Sequence, residues 1–407
     1  MNKDSDLRQL LSLPLIVAAL GYFVDIYDLL LFSIVRIPSL KALHVPDDRL
    51  LPDGIYLINV QMVGLLIGGI LWGIIGDKKG RLSVLFGSIL LYSLSNIANG
   101  FITNLNQYVV LRFVAGIGLA GELGAGITLV AEILPKHLRG YGTSIVASIG
   151  LLGAVLAYFV ANLFDWMIAY IIGGGLGILL LLLRFNVFES GMFKKAKEQL
   201  VSRGNFLSLF SSRYKCLKYV RCILIGLPFW FVIGILITFS PEFGKSLGLS
   251  VPVEAGKAVM FNYIGLSLGD LSSGILSQRL QSRKSVVFVF ITLTTVLGIV
   301  YLYLMPNSVW FFYAVCLLLG FAIGYWALFV TIAAEQFGTN LWATVATTVP
   351  NFVRGSINIM TPAFLLFKTN FGTMGSAAIV GFVAVFLSLL GLWGMEETYH
   401  KDLDYNE

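Results

Sequence analysis

The chain has 407 residues, of which 57% are hydrophobic and 12% charged, with a formal net charge of +6. Soluble domains carry about 25% charged residues, so this composition excludes an ordinary soluble protein and points to a polytopic membrane protein. The positive excess acts as an orientation signal rather than a nucleic-acid patch.

Runs such as "IYLINVQMVGLLIGGILWGIIG" (55–76) and "AAIVGFVAVFLSLLGLWG" (377–394) reach the roughly 18–20 apolar residues that cross a bilayer as a helix. No window shows the ten-residue alternation of a β-barrel, so the spans are predicted as helices. They fall at about 11–36, 55–76, 82–103, 107–134, 141–163 and 166–186, then 222–244, 254–277, 285–305, 308–335, 341–367 and 372–395. The first run holds Asp25 and Asp28 and lacks a small-residue cleavage site, so it reads as an uncleaved span. A basic stretch, 187–221, separates the sixth and seventh spans. It mixes charges with "NFLSLF" and is predicted as a short amphipathic helix along the membrane face. The predicted fold class is therefore an all-α membrane protein with twelve transmembrane helices in two pseudo-symmetric six-helix bundles. The expected units are an N-terminal bundle (1–186), a cytoplasmic linker (187–221) and a C-terminal bundle with a tail (222–407).

Of the 28 Lys and Arg residues, 20 fall on one side of these spans, six on the other, and Arg112 and Arg354 lie inside spans. The positive-inside rule puts both termini and the linker in the cytoplasm. The halves also resemble each other. Gly274 in "GILSQRLQSRK" lies 201 residues after Gly73 in "GIIGDKKGR", and Glu335 in "AEQFGTNLWA" lies 203 after Glu132 in "AEILPKHLRG". Two matches at nearly one offset, each at a helix end, indicate an internal duplication. Repeated halves around a midplane site are typical of secondary transporters.

These motifs resemble the major facilitator superfamily. "GIIGDKKGR" is similar to its loop signature after span two, with Asp77, Gly80 and Arg81 in place. "RFVAGIGLAGELGAG" (112–126) with "AEILPKHLRG" resembles the fourth span of its sugar-porter and metabolite–proton symporter branches. "FESGMFKKAKE" (188–198) and "EETYHKDLD" (396–404) look like the motifs that follow their spans six and twelve. Two departures are Gln278 in place of an acid and Trp342 in place of an arginine, which imply a weaker latch in the second half. The glutamine-rich sugar signature of span seven is replaced by "GLPFWFVIGILITFSPEF" (226–243), which argues against a hexose.

A charge in hydrocarbon costs roughly 3 kcal/mol, so each needs a partner or a wet cavity. Asp28 and Arg112 fall at similar depths in spans one and four, by the 1.5 Å rise per helical residue. The resemblance implies the same pairing, since it matches a proton-switch pair of sugar–proton symporters. Asp28 then reads as a carboxylate that takes a proton when it parts from Arg112; the alternative is a static pair joining two helices. Asp25, on the same face, and Glu122, central in span four, are further proton-coupling candidates. In "NFVRGSINIM" (351–360), Thr347, Asn351, Arg354, Asn358 and Thr361 form one polar stripe if span eleven is a regular helix. Arginine offers a planar fork for carboxylate or phosphate. Arg354, Asn351, Asn358, Asp270, Trp230 and Trp326 are the predicted substrate contacts, with Phe229 and Tyr325 as further walls. The alternative for Arg354 is a simple pair with Asp270. Asp77, Gly80, Arg81, Glu132, Arg139, Arg184 and Glu189 are expected to form an inner gate.

The three cysteines (Cys216, Cys222, Cys316) give no disulfide framework, and the three histidines (His44, His137, His400) give no metal spacing. No nucleophile, cofactor or nucleic-acid motif is present, so an enzyme is not expected. The expected protein is a monomeric inner-membrane transporter that imports a small organic anion or zwitterion with protons. A proton-driven exporter and a non-translocating receptor are the alternatives.

Overall fold

In hydrocarbon, backbone amides find no water, so a spanning segment must satisfy its hydrogen bonds internally. The computed structural model, which describes residues 9–183, 206–337 and 341–399, meets this demand with helices. Arg184 and Glu189, and the side chains of Arg81, Glu132 and Arg139, lie outside the described residues.

The first half comprises α1 (Leu13–Ala42), α2 (Leu50–Lys79), α3 (Arg81–Asn99), α4 (Leu105–Leu119), α5 (Glu122–Ile133), α6 (Lys136–Leu151), α7 (Gly153–Leu163) and α8 (Trp166–Leu183). The pairs α4–α5 and α6–α7 are single spans with a break. The second half comprises α9 (Arg213–Ile225), α10 (Leu227–Phe231), α11 (Ser240–Ser246), α12 (Ala255–Leu280), α13 (Arg283–Tyr303), α14 (Val309–Ala322), α15 (Trp326–Glu335), α16 (Trp342–Gly355) and α17 (Ile357–Trp393). A π-helical turn, Val232–Ile237, continues α10. The helix α17 carries the end of span eleven and all of span twelve, and it is interrupted at Gly372. There φ is 67°, a conformation glycine adopts without the clash a Cβ would bring.

Among the described residues these helices make up twelve spans in two bundles, with two local departures. Span seven begins at Arg213, earlier than its apolar run, because the Ser212 hydroxyl accepts from the Lys215 amide and starts the helix. The "NFLSLF" segment is a short 3₁₀ turn, Phe206–Phe210.

The duplication reappears as geometry. Span four breaks at Ala120–Gly121 and span ten at Ile323–Tyr325. Ala120 and Ile323 stand at the same offset, 203, as Glu132 and Glu335. Each break frees backbone groups that need partners. The Ala120 carbonyl accepts from Asn351 Nδ2 of α16 at 2.8 Å, and the Ala327 amide donates to Asp270 Oδ1 of α12 at 2.9 Å. Side chains therefore close both breaks, one of them across the interface between halves.

The halves touch at both ends. Helix α2 crosses α16 so closely that a Cβ on Gly73 would lie 3.1 Å from the Thr344 Cα. There Asp77 Oδ2 accepts from the Thr344 amide at 2.9 Å and from its hydroxyl at 2.5 Å. At the opposite end Arg36 pairs with Glu242 at 2.7 Å, and the Thr361 hydroxyl donates to Asn59 Oδ1 at 3.1 Å.

In the second half, an ion pair lies near the positions of Gln278 and Trp342. Arg283 binds Glu335 through two bonds of 2.8 and 2.7 Å, and these residues match Arg81 and Glu132 by offset. The tail docks beside them. Glu397 accepts from Ser282 Oγ at 2.7 Å and from the amides of Arg283, Lys284 and Tyr399. Partial burial opposes its charge, but these bonds outweigh burial and hold its carboxyl below the usual glutamate range. A carboxyl lowered on folding stabilises above its unfolded pKa, and that stability is lost as pH falls through the folded value. The melting-temperature gap between wild type and Glu397→Gln is therefore expected to be widest at neutral pH and to close in acid. A gap that widens in acid would contradict this.

Candidate functional site

Five of the predicted residues converge where the two bundles meet. Arg354 ends α16 at a break, Gly355–Ser356, so its side chain sits at a helix end in mid-span. It is fully buried. Its Nη1 donates to Asn351 Oδ1 at 3.2 Å, its Nη2 lies 3.9 Å from Asp25 Oδ2 of α1, and its Cζ lies 5.8 Å from the Trp326 ring centre. Its Nε has no hydrogen-bond acceptor among the described residues. Phe229 packs on Trp326 with ring centres 4.2 Å apart. Tyr22 and Tyr263, both buried, stand within electrostatic reach of Arg354 and Asp25.

The partner of Arg354 is thus Asp25 from the other half, not Asp270. Asp270 is occupied with the Ala327 amide at the start of α15, where a carboxylate also meets the positive end of the helix dipole. Asn358 is half-buried and donates from Nδ2 to the Gly355 carbonyl at 3.0 Å. It closes the break after Arg354 rather than extending the stripe. Trp230 is buried beside Gly234 and Ile357, and its indole N–H has no acceptor among the described residues. Tyr325 donates to the Ile225 carbonyl at 3.0 Å and serves the scaffold.

A second cluster lies within the first half. Asp28 and Arg112 are fully buried neighbours, as their matched depths predicted. Among the described residues, neither Asp28 oxygen has a hydrogen bond of good geometry, nor do Nε and Nη1 of Arg112. Arg112 Nη2 donates to Asn96 Oδ1 at 2.5 Å, and its Cζ lies 4.7 Å from the Tyr170 ring centre. Asp28 Oδ1 fits against Gly173 of α8, where a Cβ would approach to 2.1 Å. Asp25, one turn away on α1, links this cluster to Arg354. Glu122 is buried in the first turn of α5, just past the span-four break.

Sequence reasoning passed over Asn96, Tyr170, Tyr22, Tyr263 and the Arg283–Glu335 pair. The pair alone had a signal, its offset from Arg81 and Glu132.

Two arginines and several carboxylates are thus buried near broken helices between the repeated bundles. The family model described as Major Facilitator Superfamily matches residues 18–362. The niacin transporter NiaP of Acinetobacter baylyi is 27% identical over 366 residues, covering 80% of each chain. The sialic acid transporter NanX of Escherichia coli is 25% identical over 284 residues, covering 68% of this chain and 67% of that one. The solved structure of the proton:xylose symporter XylE, from E. coli, superposes with a TM-score of 0.74 at 17% identity, covering 96% of this chain and 97% of that one. Fold, internal repeat and relatives agree: the chain is a multi-pass membrane transporter, not an enzyme, and belongs to the Major Facilitator Superfamily.

Proposed function

We propose that this transporter imports a small organic anion or zwitterion together with protons, by rocking of the halves 1–186 and 222–407 about the Arg354 site. The observation that carries the reading is a fully buried guanidinium at a mid-span helix break, held against a carboxylate of the other half. A charge so placed is expensive in hydrocarbon, and function is the usual reason for one. The named substrates of two relatives, niacin and sialic acid, are compatible with an acidic metabolite. Asp28 with Arg112, together with Asp25 and Glu122, carries the proton, and Arg354 with Asn351 and Trp326 anchors the anion. The orientation read from the charges puts both termini in the cytoplasm of an inner-membrane monomer. The test is uptake into proteoliposomes from a panel of radiolabelled small acids. Accumulation that follows an inward proton gradient and collapses with a protonophore is expected; loss of loaded substrate under that gradient would replace import by export.

In this reading Asp77 closes the inner face by holding the first turn of α16. Asp77→Asn removes the charge at that helix N-terminus, worth about 0.3–1 kcal/mol or more when buried. The resting population then shifts toward an open inner face. The measurement is maleimide labelling of cysteines placed at each face, after replacement of half-buried Cys216. Unchanged labelling at both faces would remove Asp77 from the gate.

A further inference from the structure

Asn351 stands between Arg354 and the broken fourth span of the opposite half, bonded to both. We propose that Asn351 is a positioning residue that couples the halves: it clasps the span-four break while Arg354 holds it, and lets the break loosen when Arg354 turns to its anion. This rests on the reading of Arg354 as the anion anchor and of span four as a carrier of proton-coupling groups.

Both donors of the Asn351 amide are committed. Nδ2 donates to the Ala120 carbonyl of the first half and to the Thr347 carbonyl of its own helix, each at 2.8 Å. Oδ1 accepts from Arg354 Nη1 at 3.2 Å. Turned over, the amide would set its oxygen against two carbonyls and its N–H groups against a guanidinium, so one orientation is fixed. Two glycines admit α16 to this place. A Cβ on Gly69 of α2 would lie 3.0 Å from the Asn351 Cβ, and one on Gly124 of α5 would lie 2.6 Å from the Thr347 Cα. With its N–H groups in use, Asn351 has no donor left for an anion. It serves the site through Arg354.

The clasped break lies between two proton-coupling candidates of span four: Arg112 stands eight residues before Ala120 and Glu122 two after it. Backbone groups freed inside a membrane need partners from the protein, and the Ala120 carbonyl has Asn351. An anion that draws the guanidinium away takes the donor from Oδ1. The planar amide then turns, the Ala120 carbonyl loses its own donor, and α4 and α5 are released to shift against each other. Arg112 and Glu122, on opposite sides of the break, shift with them. The duplicated half shows that this link is particular. The residue 203 positions before Asn351 is Ser148, whose hydroxyl has no partner among the described residues. The span-ten break is closed instead by Asp270 of its own half. The second half thus clasps the break of the first, whereas the break of the second is clasped from within.

The experiment is hydrogen–deuterium exchange of the purified full-length protein with no anion added, read by mass spectrometry over the amides of residues 117–124. Asn351→Ala is expected to speed their exchange by about 5- to 150-fold, the effect of leaving a buried carbonyl without its donor. Asn351→Leu, which keeps more of the packing, should do the same. Arg354 makes no hydrogen bond to span four among the described residues. Arg354→Ala should nevertheless speed the same amides by about 2- to 30-fold, through Asn351. Combined with either Asn351 variant it should add less than about twofold, because the link is already cut. Ser267→Ala controls for general loosening, since this hydroxyl donates across the halves to the Ser148 carbonyl at 2.8 Å. In that background Arg354→Ala should keep its full effect at the break. Unchanged exchange in folded Asn351→Ala or Asn351→Leu overturns the clasp. Unchanged exchange in Arg354→Ala overturns the coupling and needs no variant of Asn351. Effects of the two substitutions that simply multiply overturn it as well. The anion reading falls separately, if folded Arg354→Ala keeps wild-type anion affinity.

Discussion

Arg354→Ala is expected to weaken binding of the transported anion by about 30-fold to several-thousand-fold. That is the equivalent of roughly 2–5 kcal/mol for removing one charged partner of a hydrogen-bonded pair in a poorly solvated site. The guanidinium is fully buried, with one amide neighbour, one distant carboxylate and one N–H that lacks an acceptor among the described residues. Little else in its surroundings can compensate a bound anion. Arg354→Lys should recover only part of the loss, because a point charge does not reproduce the planar fork. Asp270→Asn is the informative control. Because Asp270 serves the α15 amide and not Arg354, this variant should keep anion affinity and lose about 1 kcal/mol of stability at most, as helix caps do. Calorimetry on monodisperse protein reads both. Wild-type affinity in a well-folded Arg354→Ala protein would make the arginine a structural feature only.

Asp28→Asn should abolish accumulation driven by a proton gradient while leaving counterflow of labelled against unlabelled substrate largely intact. Exchange needs the halves to rock but moves no net proton. The side chain lies against Gly173 beside Arg112 and Asn96, and asparagine matches its shape closely. Packing should survive, and the loss should be confined to coupling. Uptake and counterflow in the same proteoliposomes separate the two. Uphill accumulation by the variant would pass the proton role to Asp25 or Glu122.

The twelve spans were readable because a bilayer demands long apolar runs, and the internal repeat was readable because helix-end motifs recur at one offset. The breaks in spans four and ten were not. Neither Ala120–Gly121 nor Ile323–Tyr325 contains proline, and the groups that satisfy these breaks, Asn351 and Asp270, come from distant helices. The polar stripe of span eleven was correct as far as Arg354. Beyond it the break at Gly355–Ser356 turns Asn358 back onto the Gly355 carbonyl, which a regular 3.6-residue period does not anticipate. Depth along the bilayer normal brought Asp28 to Arg112 because both lie in one half. Nothing in the periodicity tells how two bundles are rotated against each other, so Asp25 and Arg354 were assigned to separate tasks although they face one another.

The most direct measurement is a structure of the protein with the best-bound acid of the panel, solved by cryo-electron microscopy. The acidic group of the ligand is expected within hydrogen-bond distance of the Arg354 guanidinium, beside Asn351 and Trp326. A ligand seated elsewhere, with the Arg354–Asp25 pair intact, would contradict the assignment of this interface as the transport site.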